Sequence, residues 1–440
     1  MNQVRQWEYK ISTRGDVKLR MLRNYFSFRR KITEKDVETK VLSLVEHAIK
    51  NVPFYQQQFQ GKKDALSCFS SLSDYVQNFP VTHSSTYREH QQKYGHQELI
   101  DERLNIDELV EDRSSGSSGV PISVYRTKTE SIYTNSAKTV YALTMRGLKP
   151  WNRILAIVPT LQVVESDFFL QKLGFFRRTT IDYRHSPEEV IQIIKKRRID
   201  AIYGQAGYLR LLAEFYRDNR IQAPRLSFLA PGAEVVNSYT RRLFWDVFSP
   251  RHYTENYGTT ETGIIATLNS DLEYEPIWND CFFFVKEDDE AAERLGKRSG
   301  SIVLTSLNNY TQPILNLEVG DVVHLKNYFE GNLIHSKISG IEGRANDFLV
   351  LENGERLTGA AFYTLYEYYD FVKGFQIVQK AKGNCEINVA LLDDLMENKN
   401  IILKATDSLL GKRIEYSLNF VDNIPLSSNG KQKILISEVQ

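Results

Sequence analysis

From Arg153 to Asn256 the chain alternates between short apolar runs and amphipathic stretches, and this alternation restricts the fold more than any other feature. The run Arg153-Ile-Leu-Ala-Ile-Val158 reads as a buried strand. Ser186-Pro187-Glu188-Glu189 starts a helix, with Ser at the N-cap and Pro in the first turn. That helix runs from Val190 to Arg198 and carries Val190, Ile191, Ile193 and Ile194. A strand from Asp200 to Tyr203, a helix from Tyr208 to Tyr216, a strand from Leu226 to Ala230, a helix from Ser238 to Val247 and a strand-like segment from His252 to Asn256 follow in turn. Parallel strands need crossover connections, usually helices, so this order predicts a largely parallel sheet covered by helices. Ligands bind such sheets beyond the carboxyl ends of the strands. Two short stretches fall there: Gly232-Ala233-Glu234 and Tyr257-Gly258-Thr259-Thr260-Glu261.

The flanks fill in the domain plan. Asp36 to Ile49 reads as an amphipathic helix ended by Asn51-Val52-Pro53. Leu72 to Gln77 is a second helix, and Lys128 to Gly147 a long one with Gly147 as its C-cap. From Cys281 the texture turns to strands: Cys281 to Lys286, Gly300 to Ser306 and Asp321 to Lys326. A polar joint, Ser339 to Asp347, leads into a smaller unit with strands Phe375 to Gln379, Glu386 to Leu391 and Arg413 to Phe420. The predicted class is α/β: a large N-terminal domain of sheets packed with helices, 1–342, and a small mobile αβ C-terminal domain, 343–440.

Composition removes several functions. The net charge is +1 over 440 residues, so no strong field favours nucleic acid. Cys68, Cys281 and Cys385 lie far apart with no C-x-x-C pair, which fits a reducing, cytoplasmic setting better than a disulfide framework or a zinc site. No apolar run reaches the roughly 18 residues of a membrane span. The basic start of the chain, Arg5 to Lys31 with Tyr25, Phe26 and Phe28, reads either as a solvated helix face or as a peripheral contact with an anionic membrane.

Ser114-Ser115-Gly116-Ser117-Ser118-Gly119 lies between an acidic run and a strand-like segment, Ile122 to Tyr125. Such a loop can converge several N–H and hydroxyl donors on one anion. Read alone, it fits a flexible linker equally well. Val120 follows Gly119, so the Gly-Lys-Ser/Thr of a P-loop is missing.

The order of motifs is more specific than any one of them. The Ser/Gly loop, Gly232-Ala233-Glu234, Tyr257 to Glu261, Val319-Gly320-Asp321, Gly343-Arg344 with Asp347, and Asn429-Gly430-Lys431 together resemble the adenylate-forming superfamily of acyl- and aryl-CoA ligases. Ala48 to Tyr55 and Phe79-Pro80-Val81 resemble its phenylacetate–CoA ligase family, and Gly343 to Gly354 is similar to the capsular-polysaccharide-biosynthesis branch.

The resemblance implies ATP-dependent activation of a small carboxylic acid as an acyl-adenylate. The acyl group would then pass to CoA, or in the capsule branch to an amine or hydroxyl on a sugar. It implies ATP and Mg2+ as the groups bound, with CoA as one acceptor. Ser114 to Gly119 would cradle phosphates, and Glu261 would hold Mg2+, since a hard carboxylate oxygen suits that ion. Thr259 and Thr260 would bond the phosphate or the carboxylate. Tyr257 would lie against one face of the adenine and Gly232, Ala233 and Glu234 against the other, with Asn256 and Gly258 also among the nucleotide-binding residues. Asp321 would accept the ribose hydroxyls and Arg344 would assist there. Asp347 would be the hinge. Lys431, rather than its neighbour Lys433, would bring a charge onto the α-phosphate. By the same likeness the acyl pocket lies between Val158 to Phe169, Tyr203-Gly204-Gln205, Glu255-Asn256 and Thr262-Gly263, with Asp167 either holding an amine or simply opening a helix.

One departure stands out. Where the family has Pro-Leu-Ile-Arg-Tyr, this chain has Pro313-Ile314-Leu315-Asn316-Leu317. If that Arg supports the nucleotide, its loss favours a second reading, a degenerate nucleotide-binding scaffold.

Overall fold

The structure is a computed structural model. It describes residues 32–60, 69–113, 122–158, 171, 173–287, 298–326, 334–344, 348–358, 362, 366, 369–411, 413–425 and 434–439.

The predicted alternation is realised as one half of a 12-stranded sheet. Its parallel strands are β4 (Arg153–Val158), β5 (Arg177–Asp182), β6 (Ala201–Gln205), β7 (Phe228–Gly232) and β8 (Asn256–Thr259), ordered β5-β4-β6-β7-β8. Helices Pro187–Arg197, Ala206–Asp218 and Ser238–Phe248 provide the crossovers. The first of these has the capping box at Ser186 and Glu189 and Pro187 in its first turn. A core of Leu155, Ile157, Ile191, Ile202, Leu209, Leu212, Leu229 and Phe244 lies between strands and helices.

At β8 the sheet changes character. β9 (Gly263–Leu268) runs antiparallel to β8, and beyond it come β10 (Tyr274–Pro276), β14 (Lys337–Arg344), β13 (Leu317–Lys326), β12 (Arg298–Ser306) and β11 (Cys281–Glu287), all antiparallel. This half follows the strand-rich texture expected from Cys281 onward. β1 (Thr82–His83) adds to β13 in parallel, and β2 (Val110–Arg113) pairs with β3 (Ser123–Arg126) as a separate ribbon.

Helix Glu34–Asn51 puts Val37, Val41, Leu44, Val45 and Ala48 into a second core. Buried phenols tie this layer to the sheet. Tyr55 donates to the Pro313 carbonyl at 3.0 Å, and Tyr75 bonds Thr305 at 2.8 Å. Pro53 was expected to stop the helical run. It ends the first helix but also opens a short one, Pro53–Gln58, because its missing N–H is free of cost in a first turn. The long helix expected from Lys128 to Gly147 is helical to Met145 and contains a π-turn at Tyr133–Ala137.

The C-terminal unit has its own core (Leu349, Phe375, Ile377, Ile387, Val389, Ile402) and its own sheet. That sheet orders β19 (Glu415–Val421), β18 (Asn384–Leu391), β17 (Val372–Ala381) and β20 (Leu435–Ser437), covered by helix Met396–Leu410. It touches the large domain at residues 370–373: the Lys373 carbonyl accepts from Arg210 (3.3 Å) and Asn237 (3.1 Å), and Asp370 pairs with Arg242.

Glu273, just before β10, joins three strands. It accepts from Lys326 at 2.5 Å and from Lys337 at 2.7 Å. Those two ammonium groups hold its carboxyl at about 2, below its ordinary 4.5. A carboxyl depressed on folding stabilises the fold above its unfolded pKa, and that contribution fades as pH falls through the folded pKa. Glu273→Gln should therefore lower Tm by a few degrees at neutral pH. The gap from wild type should close on acidification from about 4.5 toward 2, followed by thermal melts across pH.

Candidate active site

Most sequence-predicted residues that the structure describes gather where the parallel half meets the antiparallel half. β7 ends at Gly232, which pairs with Asn256 at the start of β8. Ala233 follows with φ +66, a left-handed conformation that costs a residue with a Cβ on the order of 1–3 kcal/mol. Glu234 is committed to the preceding helix: it accepts from Gln205 Nε2 at 3.0 Å and from the Gly207 amide at 2.9 Å, in the first turn of Ala206–Asp218. A carboxylate on those unpaired amides also suits the helix dipole.

Asn256 presents an unusual atom. Its Oδ1 is buried and has no hydrogen-bond partner among the described residues. An orphaned acceptor of this kind is costly unless something donates to it. An exocyclic amine of a base would fit that need.

Tyr257 is 8% exposed and packs among Ile265, Ala266, Phe283 and Val323. Its hydroxyl donates to Asp321 Oδ2 at 2.9 Å. Burial, and then the Asp321 carboxylate, hold the phenol protonated well above its ordinary range. The expected adenine-side aromatic and the expected ribose acid are thus in direct contact. Asp321 sits in β13 opposite Arg344 of β14. The backbone of Arg344 is described; its side chain is not. β14 continues to Arg344, across the boundary drawn at 343, and Phe348 begins the next strand. Ser114 to Gly119, Asp347, Lys431, Lys433 and Asp167 lie outside the described residues, as do the basic N-terminal run and Cys68.

Between β8 and β9 the chain turns through Thr260, Glu261 and Thr262, with Gly263 at φ +73. A left-handed glycine is what a three-residue hairpin loop demands. A Cβ at Gly263 would also stand 2.7 Å from Thr134 Cγ2. Gly258 opposite is equally confined, its missing Cβ 2.5 Å from the Gly263 carbonyl oxygen. The turn offers Glu261, 6% exposed, whose carboxylate has no hydrogen bond or ion pair among the described residues. Mg2+ at nucleotide sites commonly takes one or two protein carboxylates, phosphates and water. A lone carboxylate fits that donor set, and no cluster of three or more ligating side chains exists among the described residues.

Two features were invisible in the sequence. Arg126, at the end of β3 and 1% exposed, donates through Nη2 to the carbonyls of Thr260 (2.8 Å) and Glu261 (3.0 Å) and pairs through Nη1 with Asp112. Lys138, 0% exposed, donates to the Thr262 carbonyl at 2.9 Å and pairs with Asp280. Neither belongs to a motif, and an isolated cation in a strand or helix normally reads as solvent-facing.

Two residues proposed for the acyl pocket have protein partners. Glu255 is buried and accepts from Arg241, Tyr253 and Tyr274, each at 2.7 Å. Thr262 is 1% exposed, with its hydroxyl 3.2 Å from that of Thr259. The departure at Asn316-Leu317 is part of the core. Asn316, at φ +42, donates its side-chain NH2 to the Phe79 carbonyl at 3.1 Å and its backbone N–H to the Thr305 hydroxyl at 3.2 Å, while Leu317 is 1% exposed and pairs with Thr82.

The fold is that of the adenylate-forming ligases. A 2-hydroxyisobutyryl-CoA ligase in its postadenylation state with 2-HIB-AMP aligns with TM-score 0.68 at 15% identity, over 92% of this chain and 89% of that one. The same ligase in its thioesterification state, with 2-HIB-AMP and CoA, aligns at 0.55 and 16% identity, over 92% and 90%. ATP-bound MatB from Rhodopseudomonas palustris aligns at 0.51 and 15% identity, over 75% and 67%. Residues 349–438 match the CapK C-terminal domain, which fits the capsule-like branch of these ligases. No curated protein matches the sequence.

Gly263→Ala should destabilise the protein by more than about 1 kcal/mol, since both the left-handed φ and Thr134 oppose a Cβ. Urea unfolding of the variant against wild type checks this.

Proposed function

We propose that the protein activates a small carboxylic acid with ATP and transfers the acyl group to a second substrate. A carboxylate oxygen would attack the α-phosphorus, the bond to the bridging oxygen would break, and pyrophosphate would leave. In the second step the acceptor would attack the acyl carbon and AMP would leave. The observation that carries the reading is the convergence of Glu261, Asn256 and the Tyr257–Asp321 pair on one seam of the sheet, with a buried acceptor on Asn256 left unpaired among the described residues.

Each group has a task that its chemistry suits. Mg2+, when bound, would neutralise phosphate charge, and Glu261 would hold it. Asp321, fixed by the Tyr257 hydroxyl, would accept from the ribose. Ser114 to Gly119 would steady the departing pyrophosphate, with Thr259 and Thr260 beside it, and Lys431 would supply the cation that the lysine-free loop lacks. The swing of the C-terminal domain about Asp347 would exchange the residues facing the site. The docking of Lys373 on Arg210 and Asn237, and the higher score against a postadenylation form, support reading this arrangement as the one that follows adenylation.

CoA is one acceptor; the match of residues 349–438 to the CapK C-terminal domain supports an amine or hydroxyl on a surface-polysaccharide sugar as the other. Asn316 and Leu317 bear on core packing, so they lend little weight to the scaffold reading.

Pyrophosphate exchange across a panel of acids, with hydroxamate trapping of the adenylate, tests the reaction. At least one acid should support exchange. Glu261→Gln should reduce that exchange by about 100-fold or more, and Asn256→Ala should weaken ATP binding by about tenfold. ATP binding with no exchange for any acid would leave the scaffold reading in its place.

A further inference from the structure

The turn carrying Glu261 is gripped from behind by charge. Three successive peptide carbonyls, of Thr260, Glu261 and Thr262, each accept a hydrogen bond from a fully buried cation. Burying a guanidinium or an ammonium is expensive and is repaid only where its donors are used and its charge is matched. Asp112 and Asp280 supply the matching charges. Asn308 donates to the second carboxylate oxygen of Asp280 at 2.7 Å, and Asn135 approaches Asp112 at 3.2 Å.

The grip fixes more than the carbonyls. In a trans peptide the C=O and the following N–H point in opposite directions. Carbonyls drawn back to Arg126 and Lys138 therefore turn the amides of Glu261, Thr262 and Gly263 the other way. The amides of Glu261 and Thr262 donate to no acceptor among the described residues, although both residues are nearly buried. Buried N–H groups without a partner are rare, and two neighbours facing away from cations suit an anion.

The connectivity of Arg126 adds a second consequence. It ends β3, and its partner Asp112 lies on β2. Arg126 therefore ties the β2–β3 ribbon to the Glu261 turn.

We propose that Arg126, with Lys138, is a positioning residue that ties the Glu261 turn to the β2–β3 ribbon, aiming the Glu261 and Thr262 amides at an oxyanion and the Glu261 carboxylate at its counter-ion. This rests on the adenylation reading for the identity of the anion, a nucleotide phosphate. The geometric part, control of the turn by Arg126, stands apart from it.

The test uses the full-length protein as Arg126→Met, Arg126→Lys and Asp112→Asn. Asp112→Asn keeps the space filled and serves if Arg126→Met does not fold. Hydrogen–deuterium exchange is followed on peptides covering 256–268 and, as a control, 34–58. Exchange in the turn should rise in Arg126→Met and Asp112→Asn while the control helices stay as in wild type. The Mg2+ concentration giving half-maximal pyrophosphate exchange should rise about 10-fold to 100-fold in Arg126→Met, the range seen when the support behind a metal ligand is removed. Arg126→Lys should recover part of both effects, since one ammonium can still reach a carbonyl. Unchanged turn exchange in folded Arg126→Met or Asp112→Asn overturns the proposal, as does loosening spread equally to the control helices. Wild type without pyrophosphate exchange for any acid would sink the adenylation reading alone, and the exchange of the 256–268 peptides would still decide the role of Arg126.

Discussion

The seam between β8 and β9 is the constraint on which the large domain depends. On one side every strand is parallel and helix-covered; on the other the path from β9 to β11 is antiparallel throughout, with only the two-residue β1 joining β13 in parallel among the described residues. A chain can reverse direction there only through a tight turn, and Gly258 and Gly263 leave just enough room for it. The place where the two strand regimes join is therefore also where backbone groups are freed from regular pairing. A binding site at such a seam costs the sheet least, because those amides and carbonyls need partners of another kind in any case. Here the carbonyls take buried cations, and two amides have no acceptor among the described residues.

Polar groups also fasten the outer layers. The N-terminal helices do not rest on apolar contact alone. Tyr75 bonds Thr305 of β12, and Tyr55 and Tyr87 reach the segment between β12 and β13, where Gln312 donates to Tyr87 at 2.8 Å and Leu315 donates to Tyr55 at 3.2 Å. Glu130, in the first turn of the helix after β3, accepts from Thr127, Tyr310 and Thr311. The loop before Asn316 is thereby held by three separate pieces of chain. An Arg-Tyr pair in place of Asn316-Leu317 would have to enter this packed junction. The short, left-handed Asn with its amide on Phe79 is the solution this chain adopts.

How much of this could be read from residue types depended on where each signal resided. β4, β6 and β7 were legible because parallel strands buried on both faces are apolar throughout. The helix after Ser186 was legible because its cap is local chemistry. β5 was not: Arg177-Arg178-Thr179-Thr180-Ile181-Asp182 is an edge strand, half exposed, with no apolar run to betray it. Helix Ser84–Tyr94 was missed for a similar reason, since it buries only Ser84, Tyr87 and Gln91. Glu261 and Asp321 were found through motif order. The contact between Tyr257 and Asp321 was not, because 64 residues separate them and only the sheet brings them together.

Arg126 and Lys138 mark the limit of that kind of reading. A motif identifies residues that face a ligand, because ligand chemistry restricts them at fixed spacing. The groups that face away are restricted only by what lies behind the turn, and in this chain that is Asp112 from one ribbon and Asp280 from the far side of the sheet. Their solution is specific to the packing, so no local pattern announces it. The same physics explains why two cations are used where apolar side chains would be cheaper to bury. A leucine can fill the space behind a turn, but it cannot fix the direction of three peptide planes. Charge-assisted donors can, because a carbonyl accepts most strongly from a donor near its own plane, and a buried cation holds the donor in place. The energetic cost of burying Arg126 and Lys138 is offset by their acid partners, and what the fold gains is a turn whose amide and carboxylate directions are set before any ligand arrives.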